Sequence, residues 1–133
     1  MLRRILVGAN KRALVIRHGR FSDILTPGEY WMIAASGEVE LEFHSASEVE
    51  FNSSWADYLI RERSHLVLQH FKMIETGDSE IAVVSFDGKP DRVIGPGTRA
   101  LFWKGSVDIT AEFIASDVGS ELTTARSLQA SAR

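Results

Sequence analysis

Four histidines are the side chains of this sequence best suited to binding a metal ion. They are His18, His44, His65 and His70. The last two lie five positions apart, whereas two ligands on one face of a helix follow the i, i+4 spacing. His18 falls in a predicted turn and His44 at the end of a predicted strand. We therefore expect solvent-facing or partly packed histidines, and no metal site.

Carboxylates are concentrated in one short stretch, which contains Glu38, Glu40, Glu42, Glu48 and Glu50. The first three alternate with apolar residues, so they share the outer face of one predicted strand. This pattern predicts a solvated acidic face, with a site for a cation or a basic partner as the alternative. General acid–base catalysis needs carboxylates that converge on a substrate, which this spacing does not indicate.

Several kinds of chemistry are excluded by what the sequence lacks. It has no cysteine, so disulfides, thiolate catalysis and zinc–thiolate sites are ruled out. It has neither a nucleophile elbow nor a P-loop, because Gly95-Pro96-Gly97 lacks the following lysine and helix start. The sequence thus shows none of these catalytic motifs, and we expect no cofactor and no metal ligands.

The first twenty residues carry six basic side chains and no acidic one. One interpretation is an outward strand face balanced by the acidic strand. The other is a contact with protein partners or with anionic lipid head groups, where each charge contributes up to about 1 kcal/mol. Nucleic acid is not expected, because aromatic residues do not alternate with these basic ones. The six are Arg3, Arg4, Lys11, Arg12, Arg17 and Arg20.

Composition is typical of a soluble globular protein. The 133 residues are 44% hydrophobic and 25% charged, with a formal net charge of −3. No apolar stretch approaches the roughly 18 residues that span a bilayer, and the apolar run near the start is too short for a signal sequence. We expect a cytoplasmic protein, with peripheral contact at the inner membrane face left open.

A repeated stretch organises the chain. Ala13–Gly28 and Ala82–Gly97 are similar at an offset of 69 positions. His18-Gly19 and Asp87-Gly88 each lie between two strand-like runs, which predicts a type I′ hairpin turn. Pro-Gly then predicts a type II turn in each copy. The turn residues that recur are Gly19, Pro27 and Gly28 in the first copy, and Gly88, Pro96 and Gly97 in the second.

These signals predict an α+β fold that is mostly antiparallel β. Two similar β units, about 3–43 and 72–114, are joined by a short helical pair at about 54–70. They form a single domain over 1–116, and residues 117–133 are expected to be a flexible or weakly helical tail.

Three finer details follow from the same patterns. Ser54 is the expected N-cap of the first helix, with Asp57 completing a capping box, and Ser64 is the expected cap of the second. Val107, Ile109 and Ala111 are expected to correspond to Val39, Leu41 and Phe43. Tyr30, Trp31, Phe102 and Trp103 are expected in the core, with an interface as the alternative for some of them.

The two repeated segments resemble the opening of the SPFH (band 7) domain in the slipin branch of the stomatin, prohibitin and flotillin superfamily. The resemblance rests on RALVIRHGRFSDILTPGEYW, IAVVSFDGKPDRVIGPGTRALFWKG and the linker WADYLIRERSHLVLQHF. It implies a membrane-associated scaffold that self-assembles and gathers proteins, without an active site. The hydrophobic anchor and long helical region usual in the family are not in this sequence, so we expect a fragment or a stand-alone module.

Two functions remain open from the sequence. The first is a non-enzymatic protein-interaction or scaffold module that binds protein partners or itself, through sheet edges or the linker helices. The second is a small-ligand-binding or enzymatic domain with a pocket between the two β units, near Trp31 and Trp103.

Overall fold

The chain forms an α+β fold of mostly antiparallel sheet, as the sequence predicts. The computed structural model describes residues 2–33 and 37–115, so the predicted tail at 117–133 lies outside the described residues. Contacts divide the chain into two compact units, Met1–Val49 and Glu50–Arg133. The described elements are β1 (Leu2–Val7), β2 (Lys11–Arg17), β3 (Arg20–Leu25), β4 (Gly28–Ile33), β5 (Val39–Ser45), α1 (Ala56–Glu62), α2 (Ser64–His70), β6 (Phe71–Glu75), β7 (Glu80–Phe86), β8 (Lys89–Ile94), β9 (Arg99–Trp103) and β10 (Ile109–Ala115).

The first unit contains two antiparallel sheets. One is the pair β1–β4, and the other has the strand order β3-β2-β5. Alternation along β1 buries Ile5 and Val7, while Leu6 between them is exposed. The apolar core that these two residues enter also includes Ala13, Val15, Leu25 and Val39, with Tyr30, Met32 and Leu41 packed against it.

The second unit repeats this topology strand for strand. Its sheets are the pair β6–β9 and a three-stranded sheet with the order β10-β7-β8. Read from the opposite edge, this order is β8-β7-β10, which corresponds to β3-β2-β5 in the first unit. The hairpin β7–β8 lies 69 positions after β2–β3 at both ends of both strands. Even the bulge recurs, between Val15 and Ile16 in one hairpin and between Val84 and Ser85 in the other. A bulge at the same position is a specific backbone feature, so it strengthens the evidence for internal duplication.

Both hairpin turns have the backbone that their sequences predict. His18 and Gly19 have φ of 52° and 74°, and Asp87 and Gly88 have φ of 52° and 82°. A type I′ turn requires positive φ at both central residues. His18 and Asp87 therefore adopt a conformation that non-glycine residues rarely take.

The offset between the two units changes from 69 to 70 after the second Pro-Gly. Leu2 pairs with Ile33, whereas Phe71, which is 69 positions after Leu2, pairs with Trp103. The same offset of 70 continues into the last strand, where Ile109 takes the place of Val39. The expectation that Val107, Ile109 and Ala111 correspond to Val39, Leu41 and Phe43 is therefore wrong by two positions; the equivalent residues are Ile109, Ala111 and Phe113.

The change of offset means that the second unit has one extra residue in the turn before β9. A buried threonine forms hydrogen bonds with the backbone of this turn. Thr76 donates its hydroxyl hydrogen to the carbonyl of Gly95 at 2.6 Å and accepts a hydrogen bond from the amide of Thr98 at 2.9 Å. Gly97 has φ of 63°, in the range that a type II turn requires. Gly28 instead has φ of 153° and already belongs to β4, so the first copy does not form the predicted type II turn.

The two helices fall within the predicted range, but their caps differ from the prediction. The N-cap of α1 is Trp55, not Ser54, and its side chain makes no capping hydrogen bond. Ser53 takes part instead, because its hydroxyl accepts the amide hydrogen of Trp55 at 3.2 Å. Ser64 is the first residue of α2, and Arg63 occupies the N-cap position. The cap of α1 thus lies one residue later than predicted, after the turn that Ser53 forms, and the cap of α2 lies one residue earlier.

Candidate interaction surface

One side of the β1–β4 sheet faces away from the core of the first unit. It carries four apolar side chains, and three of them lie near one end of the sheet. We call this side the outer face. Strand pairing places Leu2 opposite Ile33, Arg4 opposite Trp31, and Leu6 opposite Glu29. Because side chains alternate along a strand, all six lie on the face opposite to Ile5 and Val7. The outer face therefore consists of Leu2, Arg4, Leu6, Glu29, Trp31 and Ile33.

The apolar side chains of the outer face are largely open to solvent. The exposed fractions of Leu2, Leu6, Trp31 and Ile33 lie between 56% and 78%. Single exposed apolar residues are normal on a protein surface, but a contiguous group of this kind is typical of an interaction site.

Two charged residues fix the tryptophan on this face. Glu29 accepts a hydrogen bond from the indole nitrogen of Trp31 at 3.1 Å and an ion-paired one from Arg4 at 2.9 Å. The Arg4–Glu29 pair is about half exposed, and such pairs contribute roughly 0–1 kcal/mol to stability. Its main effect is to hold the indole in one orientation, which lowers the entropy lost when a partner binds.

The equivalent face of the second unit is buried at the three positions of its apolar residues. Phe71, Leu101 and Trp103 occupy the positions of Leu2, Trp31 and Ile33, and each is only 1–2% exposed. Phe51 lies against the rings of Phe71 and Trp103, with centroid separations of 4.8 and 5.2 Å. The two units thus have apolar residues at the same three positions, and among the residues that the structure describes these are buried in the second unit only.

Phe51 belongs to residues 50–70, which we call the covering segment. It begins as an extended stretch in which the amide of Phe51 donates to the carbonyl of Leu101 at 2.8 Å. It continues into α1 and α2, and α2 leads directly into β6. At its end the carbonyl of His70 accepts the amide hydrogen of Lys104 at 3.0 Å. Its buried apolar side chains include Leu59, Leu66 and Val67.

The first unit has no such segment among the residues that the structure describes. Within 2–33 and 37–115, β4 pairs with β1 alone, whereas β9 pairs with β6 and also forms a bridge with Glu50 through Phe102. The outer edge of β4 consequently presents backbone groups that an added strand can bind.

The six basic residues singled out from the sequence do not gather on one face. Arg3 turns to the inner side, where it donates to the carbonyl of Val39 at 3.2 Å, while Arg4 lies on the outer face. Lys11 and Arg17 are at opposite ends of β2. Arg12 bonds the carbonyl of its own neighbour, Lys11. Arg17 and Arg20 are cross-strand neighbours in the β2–β3 hairpin, and Arg17 also reaches Met32, the strand partner of Arg3.

Three of the five clustered carboxylates have partners instead of lying free in solvent. Glu38 contacts His18 at 2.7 Å, and Glu42 contacts His44 at 2.7 Å. Glu50 binds Arg92 at 2.7 Å, and this hydrogen bond raises the pKa of the Arg92 guanidinium. Over the described part of the chain, no group of three or more His, Asp or Glu side chains is arranged to hold a metal ion.

The aromatic residues divide between core and surface. Phe102 and Trp103 are buried and Tyr30 is partly buried, in line with the expected core. Trp31 is exposed, so a core position is wrong for it, and the interface alternative fits its placement better. The sequence contained one signal for the exposure of Trp31. Side chains alternate along β4, and Tyr30 and Met32 on either side of Trp31 both pack on the core, so Trp31 lies on the opposite face.

Among the described residues, no helix combines the length and the apolar character that crossing a bilayer requires. Comparison with known proteins gives no match: no family model, curated protein or solved structure is similar to this chain.

Proposed function

We propose that this protein is a non-enzymatic interaction module of a slipin-like scaffold, and that it binds protein partners through the outer face of β1–β4. One observation carries the proposal. Apolar residues occupy the same three positions in both units, but the described part of the chain buries them only in the second.

The energetics favour a protein partner. Burying a fully exposed Leu or Ile side chain contributes about 1.5–3 kcal/mol, and more than half of each apolar side chain on this face is exposed. A partner that covered Leu2, Trp31 and Ile33 together would gain several such contributions. Tryptophan flanked by arginine is also the composition typical of binding hot spots.

A pocket lined by Trp31 and Trp103 is less well supported. The ring of Trp103 is enclosed by Phe51 and Phe71, with centroid separations of 5.2 and 4.4 Å. A ring packed in this way has little surface left for a ligand. The exposed Trp31 favours a flat contact with another protein over the enclosure typical of small-ligand sites.

Site-specific photo-crosslinking in the cells that make the protein tests the proposal. A benzophenone amino acid replaces Trp31 on the outer face, and a control variant carries it at Val93, an exposed residue of β8. We expect a discrete protein adduct from position 31 and none from position 93. Absence of an adduct at position 31, in a variant that folds normally, would overturn the proposed function.

A further inference from the structure

We infer that the open edge of β4 binds an extended segment of a partner protein in which a basic residue precedes an aromatic one. The segment adds to the first unit in the way that Glu50 and Phe51 add to the second. The inference rests on the proposed function and names the class of partner that the outer face binds.

The second unit contains an example of this mode of binding within the chain itself. The amide of Phe51 donates to the carbonyl of Leu101 at 2.8 Å, so the two residues lie opposite each other. Opposed residues of neighbouring strands carry their side chains on the same side of a sheet. The ring of Phe51 accordingly packs against Phe71 and Trp103 and is buried. One aromatic side chain in an extended stretch thus occupies this face.

The backbone of β4 offers the same two polar groups at its open edge. Hydrogen-bonded and non-bonded pairs alternate along an antiparallel ladder. The amide of Lys104 bonds the carbonyl of His70, so Leu101, three residues earlier, directs its amide and carbonyl away from β6. Trp31 holds the equivalent position in β4. Its amide and carbonyl therefore face an edge that pairs with no other described strand.

The outer face also provides the apolar surface that an aromatic ring needs. Leu2 and Ile33 stand where Phe71 and Trp103 contact the ring of Phe51. Both residues are mostly exposed, and a ring that lies across them removes this apolar surface from water at about 25 cal/mol per Å². The backbone bonds of an added strand give affinity, and the side chain on the face gives specificity.

A reversal of charge between the two units specifies the residue that precedes the aromatic one. Glu50 precedes Phe51 and binds Arg92 of β8 at 2.7 Å. Asp23, 69 positions before Arg92, holds the equivalent place in the β2–β3 hairpin and is exposed. An acidic residue next to the aromatic one would meet the like charge of Asp23, whereas a basic residue would pair with it. The first unit therefore favours a basic residue followed by an aromatic one.

A second copy of the chain lacks this pattern on its own open edge. The sequence of β4 is GEYWMI, which contains no basic residue. Pairing of two β4 edges would therefore leave Asp23 without a counter-charge. Complementary charge favours a partner segment of different sequence over self-association.

The test uses the whole protein, isotopically labelled, and unlabelled synthetic peptides, with binding followed by nuclear magnetic resonance. The first peptide has the sequence of residues 46–53 with Glu50→Arg, so it presents Arg-Phe. One control keeps Glu50, and the other carries Phe51→Ala beside the arginine. We expect saturable shifts of the Trp31 indole and of the β4 amides with the Arg-Phe peptide. Binding should be about threefold or more weaker with Glu50 and about tenfold or more weaker with Phe51→Ala.

Variants of the protein establish the contribution of Asp23. Its carboxylate accepts the amide hydrogen of Ile24 at 2.8 Å, and the side-chain oxygen of asparagine can accept the same bond. Asp23→Asn should therefore melt like the parent protein and lose the preference for Arg-Phe over Glu-Phe, and Asp23→Arg should reverse it. Asp91→Asn, at an exposed residue of β8, should leave the preference unchanged. A preference for Arg-Phe that persists in Asp23→Asn would overturn the inference.

The remaining outcomes separate the inference from the proposed function. Shifts confined to Trp103 and β6–β9 mean that the peptide exchanges with Phe51, and they overturn the inference. An adduct at position 31 without peptide binding overturns the basic–aromatic segment and leaves the interaction module supported. An adduct with the mass of two chains, together with a dimer by light scattering, makes a second copy the occupant and also overturns the inference. If neither adduct nor peptide binding is observed, both proposals fall.

Discussion

Ile33 and Trp103 hold the same position in the two units, yet Ile33 is 78% exposed and Trp103 is 1% exposed. Each pairs with the first residue of its partner strand, Leu2 in one unit and Phe71 in the other. The difference therefore comes from what lies on the sheet, because the sheet itself is the same in both units. In the second unit the ring of Phe51 packs against Phe71 and Trp103.

The two tryptophans at these faces should differ sharply in their effect on stability. Trp103→Ala removes a buried ring that contacts Phe51 and Phe71, so we expect a loss of about 3–5 kcal/mol in the free energy of unfolding. Trp31→Ala removes an exposed ring and should change it by about 0.5 kcal/mol or less. Urea denaturation followed by circular dichroism measures both. Equal losses would contradict the assignment of Trp31 to an open face.

Strong local signals account for what the sequence predicted well. The two hairpins were predictable because Asp-Gly and His-Gly turns between β-branched runs favour one backbone geometry. The positions of the two helices were predictable, but the residues that cap them were not. Ser53, Ser54 and Ser64 are all plausible N-caps by residue type, and the choice among them depends on backbone geometry that composition does not reveal.

The register shift and the open face could not be predicted from local patterns. Pro27-Gly28 and Pro96-Gly97 align perfectly in sequence, so an extra residue in the second turn leaves no trace in the alignment. The exposure of Trp31 depends on the absence of a covering segment among the described residues. β4 carries apolar residues on both of its faces, a pattern that is typical of a strand buried on both sides.

Thr76 should be essential to the longer turn of the second unit. Thr76→Val keeps the shape but removes the hydroxyl that bonds the carbonyl of Gly95 and the amide of Thr98. Valine is the residue at the equivalent position of the first unit, Val7, where the turn is shorter. We expect a loss of about 1–3 kcal/mol, because buried polar groups lose their partner. Urea denaturation gives the value.

Thr98→Val provides the control for that substitution. Thr98 is exposed, and its hydroxyl makes one hydrogen bond, to the carbonyl of Pro96 at 3.0 Å. We expect a change of about 0.5 kcal/mol or less, typical of surface substitutions. If Thr76→Val proves equally mild, the hydroxyl does not hold the turn.

The Glu50–Arg92 ion pair connects the start of the covering segment to β8 and should contribute modestly. A double-mutant cycle with Glu50→Gln and Arg92→Gln should give a coupling of about 0.5–1 kcal/mol that decreases with added salt. The hydrogen bond from Glu50 raises the pKa of Arg92 above its ordinary value. The folded pKa thus exceeds the unfolded one, so this contribution is complete below the unfolded pKa and is lost only as pH rises through the folded pKa.

The coupling should therefore be constant from neutral pH to about pH 10, far below the range in which arginine titrates. Repeating the cycle at both pH values tests this. A coupling that declined over this interval would show that a group other than Arg92 controls the interaction.

Contact with anionic membranes, if it occurs, should depend most on the end of the β2–β3 hairpin. Arg17 and Arg20 are cross-strand neighbours, whereas Arg3 and Arg4 lie on opposite sides of β1. Neighbouring charges act on a surface together, each contributing up to about 1 kcal/mol. In sedimentation with phosphatidylserine vesicles at low salt, Arg17→Ala/Arg20→Ala should reduce the bound fraction more than Arg3→Ala/Arg4→Ala.

Neutral phosphatidylcholine vesicles and high salt distinguish charge from other causes of sedimentation. Screening weakens interactions between exposed charges beyond the Debye length, so binding that depends on these arginines must fall as salt rises. Equal binding to neutral and anionic vesicles would contradict an electrostatic contact. In that case Trp31 and Ile33 on the outer face would be the next residues to substitute, since an apolar surface also adsorbs to lipid without a net charge.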